Sequence, residues 1–297
     1  MERPSLIFIL ITFMVLSHVV TSFNKMSKKK ARPELNMAHA SLDDQYDGCM
    51  ASMKRLLPSL FRSELNASTL YSEAWEKALF EWQENKTWLY PRKLEELSEV
   101  ALYAYTLGYP PLYQEFNSAT RTAAKGPEEY AAYPFKSLHF LLTWATRFLG
   151  KKFSCQRVYR GTGVNFSVGH YFRFGQFTST SEDPEIAQFF QTVTYFKLVT
   201  CKGIGISEAS YFQHEQEVLV PPYEMFKVTS VEKHPTNKTI MAVSVGTCSD
   251  HNCIFVGEDL KYTKRCQDHQ GVWSSKIYSG GEGQEIILQL LWGKNPG

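Results

Sequence analysis

Three short motifs in the second half of this 297-residue chain combine residue types that could act on a phosphate-bearing ligand. The first, Val158 to Gly161 (VYRG), places an arginine at the end of an apolar run. The planar guanidinium of Arg160 could bind a phosphate through two hydrogen bonds, and Gly161 would let the ligand approach the backbone closely. Taken alone, an arginine in this position is more often an ordinary surface residue.

The second motif, Phe177 to Ser181 (FTSTS), places small hydroxyl groups on a predicted strand. Ser179 and Ser181 would share one face of that strand, because side chains alternate between its two faces. Small hydroxyls there could orient a neighbouring carboxylate without filling the site. The same residues also fit a polar strand face that leads into a helix cap.

The third motif, His214 to Pro222 (HEQEVLVPP), contains two glutamates that are two residues apart. On an extended chain, Glu215 and Glu217 would point to the same side, and Gln216 would point away from them. Two like charges so close together repel one another unless a cationic or electron-deficient ligand compensates them. The alternative is the ordinary solvated start of an apolar strand.

A helical first half and a β-rich second half must position these motifs. Apolar residues recur with helical spacing in four segments: Tyr71–Trp82, Lys93–Thr106, Tyr113–Ala124 and Phe135–Leu149, the last apolar almost all round. Short runs rich in β-branched and aromatic residues predict strands at Arg157–Tyr159, Gly175–Thr180, Tyr195–Thr200, Glu217–Val220, Met225–Val231 and Ile240–Val245. One helix should interrupt them, with Asp183 as N-cap and Pro184 at its first position. Helices followed by strands predict an α+β fold.

The N-terminus predicts export from the cell. Residues 1–22 carry a positive charge at Arg3 and an apolar stretch from Leu6 to Leu16, as in a secretory signal peptide, and the alternative is an N-terminal membrane anchor. Residues 23–40 include a basic run and are expected to form a flexible, solvated tail. Four glycosylation sequons agree with export; they begin at Asn66, Asn85, Asn165 and Asn237.

Six cysteines in an exported chain indicate a disulfide framework. They allow 15 connectivities, so their spacing alone does not select the pairs. No two of them form a CxxC pair, and no metal site is expected.

The C-terminal residues 271–297 are expected to form a second tail. Their apolar stretch, Ile286 to Trp292, is seven residues long. A lipid-anchor signal has about 10–20 hydrophobic residues, so a released chain without a transmembrane span is predicted. A lipid anchor at the cell surface is the alternative if the C-terminus is incomplete. The formal net charge of +2 gives no argument for a nucleic-acid partner, and none is expected.

Taken in order, the arginine, serine and glutamate motifs resemble the arginine–serine–glutamate class of mono-ADP-ribosyltransferases, and in particular the vertebrate ecto-ADP-ribosyltransferase family. The likeness covers roughly Leu42 to Cys266 and is carried by further segments: Asp43–Cys49, Phe135–Phe140, Arg173–Phe177 and Glu217–Pro222. It implies a catalytic domain over residues 41–270. A helical N-terminal subdomain (41–150) would pack on a mixed β-sandwich core (151–270), with an NAD cleft between them.

The resemblance also implies a role for each motif. NAD would be the substrate, and arginine-bearing extracellular proteins would receive its ADP-ribose as nicotinamide leaves. Arg160, beside Gly161, would bind an NAD phosphate, and Ser179 would orient Glu217, which stabilises the cationic sugar. Glu215 would position the incoming guanidinium and take its proton, since a protonated guanidinium is a poor nucleophile.

Weaker features of the resemblance concern further contacts and the cysteines. Tyr105, Gln176 and Ser210 match NAD-contacting positions of the family. The family pattern pairs Cys49 with Cys253 and Cys155 with Cys201, which leaves Cys248 and Cys266 as a local pair. Two other functions stay open: an NAD glycohydrolase, in which water is the acceptor, and a secreted binding domain that kept the fold and lost the chemistry.

Overall fold

The helical half of the chain packs around one aromatic-rich core. The computed structural model describes residues 32–84, 93–148, 155–190, 193–257 and 266. Its helices in this half are α1 (Met50–Ala67), α2 (Thr69–Glu84), α3 (Leu94–Thr106), α4 (Leu112–Thr120), α5 (Pro127–Ala132) and α6 (Lys136–Phe148). Every residue of α6 from Ser137 to Thr146 is buried, which confirms the prediction of a buried helix. The carboxylate of Glu64 on α1 caps α6 by accepting hydrogen bonds from the backbone N–H groups of Lys136 and Ser137, each at 2.8 Å.

Two helices differ from their predictions for identifiable reasons. The sequence did not single out α1, because Pro58 lies within it and proline disfavours helix interiors. The helix predicted to end at Ala124 ends at Thr120. Beyond that point the backbone N–H of Ala124 donates to the carbonyl of Ala40 at 3.0 Å, so a tertiary contact replaces the next helical hydrogen bond.

The second half of the chain forms a mixed sheet of eight strands. The strands are β2 (Gln156–Thr162), β4 (Tyr171–Phe172), β5 (Thr178–Ser181), β6 (Thr194–Thr200), β7 (Ile204–Gly205), β8 (Glu217–Val220), β9 (Glu224–Lys233) and β10 (Lys238–Thr247). Their order in the sheet is β4-β9-β10-β6-β2-β5-β8-β7. Only β6 and β10 pair in parallel among these described strands. Helix α7 (Pro184–Phe189) follows β5, and the Asp183 side chain caps it as predicted, accepting from the N–H of Glu185 at 2.7 Å. The α+β fold class is confirmed.

Alternation along β8 directs one face of this strand toward the helices. Val218 and Val220 pack in the core of the sheet itself, whereas Leu219 packs in the core of the helical half. Glu217 lies two residues before Leu219 and shares its face. Its carboxylate therefore lies between the sheet and the helices, which is where a cleft was expected.

The N-terminal tail is shorter than predicted. Glu34–Leu35 (β1) pairs in parallel with Ser167–Val168 (β3), and the side chains of Leu35 and Met37 are buried in apolar clusters. The boundary expected at residue 41 was wrong because this backbone is paired and its side chains are packed. The described residues from Glu34 onward form one compact unit.

A buried ion-pair network holds this N-terminal segment in place. The guanidinium of Arg173, 1% exposed, pairs with Asp43 and also with Asp250 at 3.1 Å, and its Nε donates to the carbonyl of Met37 at 2.7 Å. Burial raises the pKa of Asp43, and the arginine counteracts that shift.

Asp43, Asp250 and Cys266 bring possible metal ligands within 4.8 Å of one another. Arg173 already binds both carboxylates and Cys266 is in a disulfide, so this cluster is occupied by the protein itself.

Three disulfides link the chain, in the pairs that the resemblance implies: Cys49–Cys253, Cys155–Cys201 and Cys248–Cys266.

In the part of the chain that the structure describes, no helix combines the length and apolar character needed to cross a bilayer. Among the sequon asparagines, Asn66 and Asn165 are exposed and Asn237 is half-buried, and glycosylation there stays a prediction. Asn85, the signal peptide, most of the basic tail and the apolar segment at 286–292 lie outside the described residues.

Candidate active site

A cavity of about 490 Å³ lies between the helical half and the sheet. This volume is within the range of small-molecule sites. One wall comes from the end of α3 and from α4, and the other from β2, β5, α7 and the segment before β8. The side chains of its lining that carry a polar or charged group are Tyr105, Thr106, Tyr113, Gln114, Asn117, Arg121, Tyr159, Arg160, Gln176, Ser179, Thr180, Ser181, Glu215 and Glu217.

Arg160 lies on β2, with its guanidinium directed toward the neighbouring strand β5. Its Nη1 donates to the backbone carbonyl of Ser179 at 2.6 Å. Burial lowers the pKa of Arg160, and the nearby Tyr105 and Glu217 raise it again. An arginine stays protonated under such opposing influences, so the cavity contains a fixed cation beside Gly161.

Glu217, the first residue of β8, is the buried acid of the cavity at 4% exposure. Strands β5 and β8 are antiparallel with Ser179 opposite Leu219, which places Ser179 diagonally across from Glu217. Burial raises the pKa of Glu217 to about 7. Hydrogen bonds from Ser179 and from Ser210, whose Oγ lies 3.2 Å from Oε2, act in the opposite direction and favour the carboxylate.

The two glutamates reach the cavity by a backbone path that differs from the expected extended chain. Gln213–Glu215 forms a 3-10 turn, and Gln216 adopts a left-handed conformation with φ of 45° before β8 begins. The prediction of an extended segment was wrong, because the chain must turn out of the preceding loop to enter the strand. Both carboxylates still line one cavity, with Glu215 half-buried and Glu217 buried, and Gln216 is exposed.

Backbone contacts from the serine motif hold this turn. The Ser181 hydroxyl donates to the carbonyl of Glu215 at 2.7 Å, and the N–H of Glu182 donates to the carbonyl of Gln216 at 3.1 Å. The two serines therefore act differently: Ser179 contacts the Glu217 carboxylate, whereas Ser181 supports the backbone of Glu215. Partial burial raises the pKa of Glu215, and His214 counteracts that shift.

The loop before the glutamates is attached to the helical half at several points. The Tyr103 hydroxyl of α3 donates to the carbonyl of Glu208 at 3.1 Å, and the N–H of Tyr211 donates to Oγ1 of Thr106 at 3.0 Å. The Phe212 ring lines the cavity and lies against Gly108, where an added Cβ would come within 3.3 Å of the ring. This contact explains why a glycine is suited to that position.

The remaining residues implied by the resemblance are distributed as follows. Tyr105, Gly161 and Gln176 line the cavity, and Gln176 accepts a hydrogen bond from Arg121. Ser210 is placed differently from the expectation: it is buried behind the cavity wall and donates to Glu217, so it supports the acid.

Sequence reasoning missed the contribution of α4 to the cavity. Tyr113, Asn117 and Arg121 are spaced by four residues and line it from one side of that helix and its C-terminus. Their spacing shows that they share a helical face. No local signal indicates which partner that face meets.

An arginine, a serine-bound glutamate and a second glutamate around one cleft in an α+β fold define an arginine–serine–glutamate site. A family model described as NAD:arginine ADP-ribosyltransferase matches residues 35–250. The chain therefore belongs to the NAD:arginine ADP-ribosyltransferase family.

Individual relatives and solved structures agree with this assignment. The erythroblast NAD(P)(+)–arginine ADP-ribosyltransferase of Gallus gallus is 38% identical over 286 residues, which covers 93% of this chain and 92% of that protein. The GPI-linked NAD(P)(+)–arginine ADP-ribosyltransferase 1 of Mus musculus is 37% identical over 86% of this chain and 82% of its own length. The crystal structure of the eukaryotic mono-ADP-ribosyltransferase ART2.2 superposes with a TM-score of 0.66 at 32% identity, covering 75% of this chain and 99% of that one. A mutant of ART2.2 has been crystallised in complex with NAD.

Proposed function

We propose that this chain transfers ADP-ribose from NAD to arginine side chains of extracellular proteins and releases nicotinamide. One observation carries the proposal: Glu215 and Glu217, with different burial, line the same cavity as Arg160 and Ser179. Two acids in different environments can take different roles in one reaction. The family membership supplies the substrate class.

Glu217 is suited to stabilising the sugar as the glycosidic bond breaks. The bond from C1′ to nicotinamide breaks with its electron pair going to the pyridine nitrogen, which leaves an oxocarbenium-like sugar. An ionised carboxylate in a buried site stabilises that developing positive charge far better than water would. Ser179 and Ser210 fix the carboxylate by hydrogen bonds, and Arg160 provides the positive charge for an NAD phosphate.

Glu215 is suited to receiving the acceptor arginine. Its carboxylate is half-buried, so it can contact both the cavity and a protein bound outside it. A guanidinium nitrogen forms the new bond to C1′, and Glu215 accepts the proton that this nitrogen loses. Partial burial raises the pKa of Glu215, which makes it a better base than a solvated glutamate.

The proposal places the protein outside the cell. Three disulfides are typical of an oxidising compartment, and relatives are named ecto- or GPI-linked enzymes. Release into the medium and attachment through a lipid are distinguished by treating expressing cells with a phospholipase that cleaves GPI anchors and assaying both fractions.

The direct test incubates the purified chain with NAD carrying a label in its adenylate half, with and without polyarginine. Label on polyarginine supports the proposal, and the Glu217→Gln variant is the negative control. Nicotinamide release with no label on the acceptor would indicate an NAD glycohydrolase instead. NAD binding with no turnover would indicate a binding domain that lost the chemistry, although the retained Arg160, Ser179 and Glu217 argue against this.

A further inference from the structure

Lys77 contacts two segments at the edge of the cavity. This residue lies on α2, and its Nζ donates to the backbone carbonyl of Tyr109 at 2.9 Å. The same ammonium lies 5.4 Å from the centroid of the Tyr211 ring, which is within cation–π distance. Tyr109 belongs to the segment between α3 and α4, and Tyr211 belongs to the loop before the glutamates. Their chain neighbours Gly108 and Phe212 line the cavity, so one lysine holds both segments beside it.

The contacts of Tyr211 continue along the loop to Glu215. The Tyr211 ring packs edge-on against the Phe212 ring, with centroids 5.1 Å apart, and the Phe212 ring packs in the same way against the His214 ring at 6.2 Å. The N–H of Glu215 donates to the carbonyl of Phe212 at 3.0 Å. A displacement of Tyr211 would therefore move the backbone that carries the Glu215 carboxylate.

Glu217, by contrast, is held mainly by the sheet. Its backbone lies in β8, which pairs with β5 on one side and with β7 on the other. Ser179 of β5 hydrogen-bonds its carboxylate, and Ser210 supplies a second hydrogen bond from the loop. A looser loop leaves the strand pairing and the Ser179 contact in place, so the loss of Lys77 should disturb Glu215 more than Glu217.

We propose that Lys77 is a positioning residue for the acceptor arginine, which acts by holding Tyr211, and through it Glu215, against the helical half. This inference rests on the proposed function, because it takes arginine as the acceptor and Glu215 as its contact. Lys77 is not among the described residues that line the cavity, so it acts through the loop. A guanidinium must be oriented toward C1′ by Glu215, whereas water needs no such contact. Lys77 should therefore favour transfer over hydrolysis.

The test replaces Lys77 with methionine, an unbranched residue that favours helices about equally and carries neither charge nor donor. Transfer from NAD to a peptide with one arginine should show a KM for the peptide about fivefold higher, because without the cation–π contact Glu215 holds its receptive position only part of the time. The KM for NAD and the rate of nicotinamide release without peptide should stay close to wild type. Lys77→Arg keeps a cation for the ring and should retain the wild-type KM for the peptide.

Two further comparisons separate this role from a general effect of charge or stability. In a Tyr211→Leu background, Lys77→Met should change the KM for the peptide little further, because both substitutions remove the same contact. Lys54→Met is the matched control and should leave both activities unchanged. Lys54 also lies over an aromatic ring, that of Trp144 at 5.7 Å, but neither residue is among the described ones that line the cavity.

Hydrogen–deuterium exchange tests the loop without any acceptor. A peptide covering residues 207–216 should exchange faster in Lys77→Met than in wild type or Lys54→Met, since the N–H groups of Tyr211 and Glu215 lose protection. Unchanged exchange there, an unchanged KM for the arginine peptide, or an equal loss of transfer and hydrolysis would each overturn the inference. A wild type that labels no arginine would refute the proposed function, and the exchange data would still decide whether Lys77 holds the loop.

Discussion

Glu217→Gln should stabilise the fold at alkaline pH while it abolishes activity. The substitution keeps the shape of the side chain and removes the ionisable group of a residue that is only 4% exposed. In the native protein, burial raises the pKa of Glu217 to about 7 from its ordinary value of 4.5. Below pH 4.5 the group is protonated in both the folded and the unfolded chain, so it has no effect on stability there.

The sign and the size of the effect follow from these two values. As pH rises from 4.5 to 7, the unfolded chain loses the proton before the folded chain does, so the wild type loses stability over this window. The two pKa values differ by about 2.5, and a tenfold change in an acid dissociation constant corresponds to about 1.4 kcal/mol, so the loss is about 3 kcal/mol above pH 7. Glutamine does not titrate, and the variant lacks this loss.

Denaturant unfolding of both proteins at pH 4.5 and pH 8 measures the prediction. The free energy of unfolding of the variant, relative to wild type, should rise by about 3 kcal/mol between the two pH values. Glu232→Gln, an exposed glutamate on β9, is the matched control and should show no such change. Nicotinamide release by Glu217→Gln should collapse with and without an arginine acceptor. Parallel pH profiles for Glu217→Gln and wild type would refute the reasoning, because Glu217 would then ionise as an ordinary solvated acid.

Four further predictions address the other parts of the site and the fold. Glu215→Gln should abolish arginine modification but leave substantial NAD hydrolysis in the same preparation, and equal loss of both would mean that the two carboxylates act as one unit. Thr106→Val removes the acceptor of the Tyr211 N–H and so loosens the loop that leads into Glu215, the residue proposed to receive the acceptor arginine. Transfer to polyarginine should therefore fall more than NAD hydrolysis does, and an equal reduction of the two activities would contradict this. The kcat/KM for nicotinamide release should fall as pH drops below about 7, and a profile flat to pH 5 would exclude an ionised Glu217 as the active form. Cys49→Ser opens a disulfide spanning 204 residues, worth about 5 kcal/mol in the chain-entropy model, and should lower the melting temperature markedly, whereas an unchanged melting curve would show that the bond contributes little.

Features that depend on a few neighbouring residues were predictable from the sequence. Asp183 and Pro184 indicate a helix start by capping chemistry alone, and the structure has that cap. The apolar segment now seen as α6 predicts a buried helix whatever it packs against. The motifs around Arg160 and Ser179 predict strand positions through their local alternation and composition, and both residues lie on strands.

The backbone between the two glutamates was not predictable in this way. Alternation of residue types favours an extended chain, yet Gln216 is left-handed because Glu215 belongs to a 3-10 turn held by Ser181, 34 positions earlier. The start of the packed chain was misplaced for a similar reason. A short strand at Glu34–Leu35 exists only because Ser167–Val168 offers it a partner.

By itself, the sequence determined the chemical groups of this protein and the elements that carry them. The arginine, the small hydroxyls and the two acids are properties of short segments. The resemblance to a family that uses NAD is also carried by short segments. Only the tertiary structure decided which side chains share the cavity, because residues as distant as Tyr105 and Glu217 meet through helix and sheet packing. It also decided that burial raises the pKa of Glu217 to about 7, since this shift depends on the exclusion of water by residues far away in the sequence.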